Sequence, residues 1–180
     1  MIYYEGQYIS QDIPKAIHYL QLSAKQYNLD ALYNLGVIYH EGKYVDRDDY
    51  KAINYLKISV SKNHSLSLFY IGKIIFESNY STPEDRNAAI HFFKLAAEQN
   101  HLWSQFVLGV IYYEGVYVKR DIRESIKYYS LAAMQKYPDA LNELGTIYID
   151  GKFIDQDIEK SIFYFQQASD LNYSISQYNL

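Results

Sequence analysis

Four glycines constrain this chain more than any other feature. Gly36, Gly72, Gly109 and Gly145 stand 36, 37 and 36 residues apart, each inside one recurring phrase: Leu35-Gly36-Val37-Ile38-Tyr39, Ile71-Gly72-Lys73-Ile74-Ile75, Leu108-Gly109-Val110-Ile111-Tyr112 and Leu144-Gly145-Thr146-Ile147-Tyr148. A fixed period of this length marks a repeat architecture, in which each supersecondary unit is too small to bury its own apolar face and is completed by its neighbours. A second glycine follows six residues later at Gly42, Gly115 and Gly151, with Gly6 on the same lattice. The second full repeat is irregular, with Ser78 in place of that glycine and one extra residue in the loop beyond.

Each unit reads as helix, turn, helix. Leu32, Leu35, Ile38 and Tyr39 fall at helical spacing, so the first segment, helix A, is amphipathic. Gly42, Gly115 and Gly151 end it at positions where a left-handed backbone costs glycine little. A loop with an aromatic–aliphatic pair follows (Tyr44-Val45, Tyr117-Val118, Phe153-Ile154), then an aspartate: Asp12, Asp48, Asp85, Asp121, Asp157. That aspartate is predicted to cap the second segment, helix B, by accepting from its orphan N–H groups. Glu124, three residues after Asp121, predicts one capping box. Helix B carries a small residue, an isoleucine and an aromatic, as in Ala52-Ile53 with Tyr55 and Ser125-Ile126 with Tyr128, which are expected to face the stack. Small pairs such as Ala96-Ala97 and Ala132-Ala133 let helices approach closely, and Asn63, Asn100 and Asn172 sit where helix B must stop, since asparagine tolerates a left-handed cap.

Composition narrows the function. With 180 residues and 49% hydrophobic content the chain can bury a substantial core. A net charge of −4, with Lys and Arg scattered singly, argues against a nucleic-acid partner. No apolar run approaches the roughly 20 residues that span a bilayer, so no membrane insertion is expected. The opening residues lack the pattern of a signal peptide. The absence of cysteine excludes disulfides and thiolate metal sites and fits a reducing compartment, so a cytoplasmic location is expected. His64 and His101 occupy equivalent turns without carboxylate or thiol company, and no metalloprotease, nucleophile-elbow, phosphate-loop or dinucleotide pattern occurs, so neither catalysis nor a metal or cofactor is expected. Glycosylation triplets at Asn63-His64-Ser65, Asn79-Tyr80-Ser81 and Asn172-Tyr173-Ser174 are the chance product of an Asn- and Ser-rich chain.

The phrase Leu-Gly-x-x-Tyr-x-x-Gly, followed by the aspartate, the small residue, the aromatic and the small pair at a 36-residue period, resembles the Sel-one-like repeat (SLR) family over nearly the whole chain. Spacing favours it over the 34-residue tetratricopeptide unit, because Gly36 to Ala52 spans 16 residues and no proline recurs at the repeat end. Departures are Ser78, Ile75 in place of the tyrosine at Tyr39, Tyr112 and Tyr148, and Ser125 and Ser161 in place of alanine. The resemblance implies an all-α fold, a right-handed α-solenoid of stacked antiparallel helix pairs forming a tetratricopeptide-like superhelix. The expected organisation is a single array over 1–180, with a partial repeat 1–29, repeats 30–65, 66–102, 103–138 and 139–174, and a partial repeat 175–180. It also implies a non-enzymatic adaptor or scaffold. A branch of the family stapled by disulfides is removed by the lack of cysteine.

In this architecture helix A lines the concave side. The groove-facing stripe, counted from each phrase glycine, is then Asp30, Tyr33, Val37, His40 and Glu41; Leu66, Phe69, Lys73, Phe76 and Glu77; Trp103, Phe106, Val110, Tyr113 and Glu114; and Asp139, Asn142, Thr146, Ile149 and Asp150. Its centre is aromatic and one edge acidic, with Phe69, Phe106 and Trp103 the preferred anchors. The acids Glu5, Glu41, Glu77, Glu114 and Asp150 recur near a helix C-terminus, where the dipole disfavours negative charge. The expected function is to bind a peptide or protein segment in this groove. The alternatives are a spacer whose rings all pack internally, and a regulatory module of a larger protein such as a kinase or a ubiquitin-ligase-associated protein. The residues Ile2-Tyr3-Tyr4-Glu5-Gly6 align with Ile111-Tyr112-Tyr113-Glu114-Gly115, and Leu180 falls one residue before the next phrase glycine is due. Neither end has a polar capping helix, so the array is expected to continue or to self-associate end to end.

Overall fold

The computed structural model describes residues 12–78 and 82–180; Glu5, Gly6, the stretch 2–6 and the triplet Asn79-Tyr80-Ser81 lie outside the described residues. Every regular element among the described residues is a helix: α1 (Ile13–Ala24), α2 (Leu29–Glu41), α3 (Asp49–Val60), α4 (Ser65–Glu77), α5 (Pro83–Glu98), α6 (Leu102–Glu114), α7 (Ile122–Met134), α8 (Pro138–Asp150), α9 (Ile158–Asp170) and α10 (Ser174–Asn179). The chain divides into two units, residues 1–92 and 93–180, with the boundary inside α5. In the first unit α1 packs on α2, α2 pairs with α3, and α3 packs on α4. In the second, α6 pairs with α7 and α8 with α9, while α7 packs on α8 and α9 on α10.

The recurring phrase works because its leucine and its glycine do different things. Leu35, Leu108 and Leu144 are each 0% exposed, at the centre of the helix A apolar face. The glycine beside each leucine is the seat of a large residue from helix B. A Cβ added at Gly36 would lie 2.6 Å from Leu56 Cγ, at Gly109 2.5 Å from Tyr129 Cδ1, and at Gly145 2.6 Å from Phe165 Cε1. One turn further along, the phrase tyrosine stacks face to face on the helix B aromatic: Tyr39 on Tyr55, Tyr112 on Tyr128 and Tyr148 on Tyr164, at 5.9, 5.8 and 5.8 Å between centroids. The isoleucine of helix B is not covered throughout: Ile162 is 53% exposed, as is the Tyr19 ring of α1 at 55%.

The serines that replace alanine add a bond between helices. Ser125 Oγ donates to the Gly109 carbonyl and Ser161 Oγ to the Gly145 carbonyl, both at 2.8 Å and both buried. Ala52 fills the equivalent place in the first unit, so alanine fits sterically. Ser161→Ala is therefore expected to cost about 1 kcal/mol, the net worth of one buried hydrogen bond, read from urea unfolding; unchanged stability would show that the bond contributes nothing.

Asp12, Asp48, Asp121 and Asp157 cap helix B as expected, accepting from the backbone N–H of Lys15, Lys51, Glu124 and Lys160 at 3.1, 2.9, 3.1 and 3.0 Å. Two expectations are corrected. Asp85 is not the cap: Thr82 is, with Thr82 N donating to Asp85 Oδ2 at 2.9 Å and Asp85 N to Thr82 Oγ1 at 3.1 Å, a reciprocal capping box ahead of Pro83. Glu124, in turn, does not reach back to Asp121. The Asp121 N–H already donates to the Tyr112 carbonyl at 3.0 Å, so no donor is left for it, and the Glu124 carboxylate accepts from Lys127 Nζ at 3.0 Å. Gly42, Gly115 and Gly151 end helix A at φ of 62°, 67° and 59°, and Asn63, Asn100 and Asn172 follow helix B at 58°, 62° and 60°, joined at the same place by Tyr27 and Lys136.

Candidate functional site

In the first unit two stripe residues of α2, Tyr33 and His40, build a ring cluster with Tyr70 of α4. Tyr33 meets the Tyr70 ring edge-on at 5.7 Å, and His40 meets it edge-on from α2 at 5.7 Å. Tyr33 also meets His64 at 6.1 Å, and His64 Nε2 lies 3.4 Å from Asp30 Oδ1. The His40 ring is fixed by Asp49, whose Oδ1 is 2.7 Å from Nδ1, and Arg47 forks onto the same carboxylate at 2.8 to 3.2 Å. Hydrogen bonds from Arg47, with a smaller share from His40, hold the Asp49 carboxyl below its ordinary range against partial burial. Phe69 and Phe76 are half-buried, whereas Glu41 and Glu77 are exposed.

The second unit repeats the theme with other side chains. Phe106 lies between Tyr137 and Tyr129, at 5.0 and 5.6 Å, and Trp103 meets Tyr137 edge-on at 5.2 Å while remaining 49% exposed. Tyr113 packs edge-on against Phe153 at 6.0 Å, and the Arg120 guanidinium lies over the Phe153 ring, 4.5 Å from its centroid. Arg120 also donates to the Tyr113 and Glu114 carbonyls at 2.8 and 3.0 Å, satisfying the free end of α6. Glu114 and Asp150 are exposed.

Residues at the start of the stripe are engaged by the repeat that follows. Asp139 accepts from the Tyr173 hydroxyl at 2.6 Å, and Asn142 Oδ1 accepts from Ser176 Oγ at 3.0 Å and Asn179 Nδ2 at 3.1 Å. That hydrogen bond to Asp139, with burial behind it, pushes the Tyr173 phenol up to about 12. The element that sequence reasoning missed is the residue just before three of the helix A segments: His64, Tyr137 and Tyr173 reach back onto the preceding helix A. The two histidines read as equivalent are helix-start residues. His101 Nδ1 accepts the Ser104 N–H at 3.2 Å and burial lowers its pKa, which keeps that nitrogen an acceptor, while His64 Nδ1 is 2.9 Å from Ser67 Oγ.

Glu143 lies among these contacts on α8. Burial, with the Asp139 charge adding to it, raises its pKa above the ordinary carboxylate value of 4.5. The native state therefore holds a proton that the unfolded chain has released, and stability falls as pH rises from about 4.5 through the folded value, then levels off. Glu143→Gln is expected to remove that slope and to raise stability at neutral pH, checked by urea unfolding across a pH series; an unchanged slope would assign it elsewhere.

Among the described residues no three His, Asp or Glu side chains gather as metal ligands, and no helix is long and apolar enough to cross a membrane. The profile of the family described as Sel1 repeat matches residues 1–28, 29–64, 65–101, 104–137 and 138–173. No curated protein matches the sequence. Among solved structures the chain is similar to a protective antigen present in uropathogenic Escherichia coli strains displaying an SLR fold, at 28% identity and TM-score 0.90, covering 99% of this chain and 38% of that one. It is similar in fold to a Sel1 repeat protein from Oxalobacter formigenes, at 24% identity and TM-score 0.85, covering 97% of this chain and 71% of that one. It also resembles the cysteine rich protein B of Helicobacter pylori, at 25% identity and TM-score 0.56 over 77% of this chain and 99% of that one. The fold is the all-α solenoid of stacked helix pairs, and the chain belongs to the Sel1 repeat family.

Proposed function

We propose that the chain is a non-enzymatic scaffold or adaptor that holds a peptide or protein segment on the exposed faces of its helix A segments, α2, α4, α6 and α8, as part of one repeat array. Sel1 repeats are protein-interaction modules, which fits this reading. The observation that carries it is Trp103. A tryptophan ring 49% exposed, braced by Tyr137 and lying on the same stripe as Phe106, offers a large contact area already held in place. Binding to such a surface gains desolvation at small entropic cost. The partly buried rings around it supply shape and support.

The test separates binding from packing. Peptides are selected against the full chain from a random displayed library, and their affinity is measured for the native sequence, Trp103→Ala and Phe106→Ala. Trp103→Ala is expected to weaken binding about tenfold or more while lowering stability by no more than about 1 kcal/mol. Phe106→Ala is expected to cost about 3 kcal/mol of stability, because its ring is shared between Tyr129 and Tyr137. A Trp103→Ala chain that loses stability but binds normally would favour the spacer reading.

A further inference from the structure

We infer that the Tyr70 hydroxyl and the Glu41 and Glu77 carboxylates form a seat for a basic side chain, arginine or lysine, of the bound polypeptide; this rests on the interaction reading above and names its chemistry in the first unit. Tyr70 is 6% exposed, and its hydroxyl has no hydrogen-bond partner among the described residues. A buried hydroxyl without a partner is costly, so the site is incomplete until something supplies one. The ring cannot swing out to find water, because Tyr33 and His40 grip it edge-on at interplanar angles of 90° and 88°, and His40 is itself tied to Asp49.

The charges around this phenol are mostly acidic. Burial acts on the phenol most; the Glu41 carboxylate comes next, close to the hydroxyl but outside the geometry of a full hydrogen bond, and Glu77 adds a smaller share. Both carboxylates are exposed and both end their helices, where the dipole disfavours them, so helix stability does not explain their placement. Arg47 pairs with Asp49 and its charge also reaches Glu77, and Lys73 has Nζ 5.5 Å from the Tyr70 centroid, so two positive charges stand against the three of Asp49, Glu41 and Glu77 and an excess of negative charge remains. An entering guanidinium or ammonium donates to the phenol oxygen and both carboxylates. Such a group is a donor only, which is what this acceptor set lacks. The position is particular to one repeat: counted from the phrase glycine it is Asn34, Tyr70, Val107 and Glu143, so the seat also fixes the register of the bound segment.

The test uses peptides selected against the full chain from a random displayed library. Peptides carrying arginine or lysine at one fixed position are expected, and replacing that residue by citrulline, a neutral isostere of arginine, should weaken binding about tenfold. In the Glu41→Gln/Glu77→Gln double variant the citrulline penalty should shrink to about twofold. Tyr70→Phe should weaken binding of the basic peptide yet leave the chain at least as stable to urea, a pattern that a merely structural tyrosine would not give. Selected peptides without a basic position, or a citrulline penalty that survives in the double variant, would overturn this seat while leaving the interaction function standing. Failure to select any peptide would overturn both.

Discussion

Truncating Tyr129 to alanine is expected to lower the unfolding free energy by about 3–5 kcal/mol, the range for removing a large buried aromatic. Its ring is 1% exposed, packs with Ala132, Ala140, Leu144 and Ile147, lies on Gly109 and meets the Phe106 ring at 5.6 Å. Gly109→Ala attacks the same contact from the opposite side. The new Cβ would stand 2.5 Å from Tyr129 Cδ1 and 2.6 Å from Cε1, and a rigid ring that is 1% exposed has little room to yield. We expect a loss of about 3 kcal/mol from that overpacking. The double variant should cost clearly less than the sum, since without the ring the extra methyl meets no obstacle. Additive losses in urea unfolding would show that this glycine is not the seat of the ring.

Gly115→Ala is the second large effect, expected at about 2–3 kcal/mol, because two penalties meet in one residue. The backbone there has φ of +67°, and a Cβ would lie 2.6 Å from Arg120 Cβ and 2.9 Å from both the Cα and N of Arg120. Side-chain rotation cannot relieve a clash with backbone, so the loop that leads into α7 must move, and the Arg120 bonds to the end of α6 move with it. Circular dichroism against urea reads the loss; a change below about 0.5 kcal/mol would mean that the loop is not fixed as described. The left-handed residues after helix B differ, since Asn63, Tyr27 and Lys136 occupy φ near 60° with side chains attached. The φ value alone does not demand glycine, and the returning backbone at Arg47, Arg120 and Gln156 does.

That distinction marks how far the sequence could be read. Period, helix pairs and most caps were legible because they depend on residues within a few positions of one another: an aspartate and the N–H three residues on, a glycine and the turn it closes. Asp85 was misplaced because a threonine and a proline one turn earlier made a better helix start. Glu124 was misread because the N–H it needed was already taken by Tyr112, a carbonyl on a different helix. The tyrosine stacks were visible as recurring residue types, but their face-to-face geometry depends on the relative register of two helices. The stripe was legible as a face of helix A, yet the reach of Tyr137 onto Phe106 and of Tyr173 onto Asp139 spans more than thirty residues and comes from the next repeat. No spacing rule within one repeat encodes it. What the packing leaves exposed is narrower than the stripe: Trp103, Leu66, Asp30 and the acidic row of Glu41, Glu77, Glu114 and Asp150.

The binding reading has a built-in reporter. Trp103 is the one tryptophan of the chain, so acrylamide quenching of fluorescence excited where tyrosine is silent reads that ring alone. When the full chain is saturated with a selected peptide, the quenching constant is expected to fall by about half or more as the exposed half of the ring is covered. A quenching constant that stays the same at saturation would contradict the claim that this face of the helix A segments is where the partner is held.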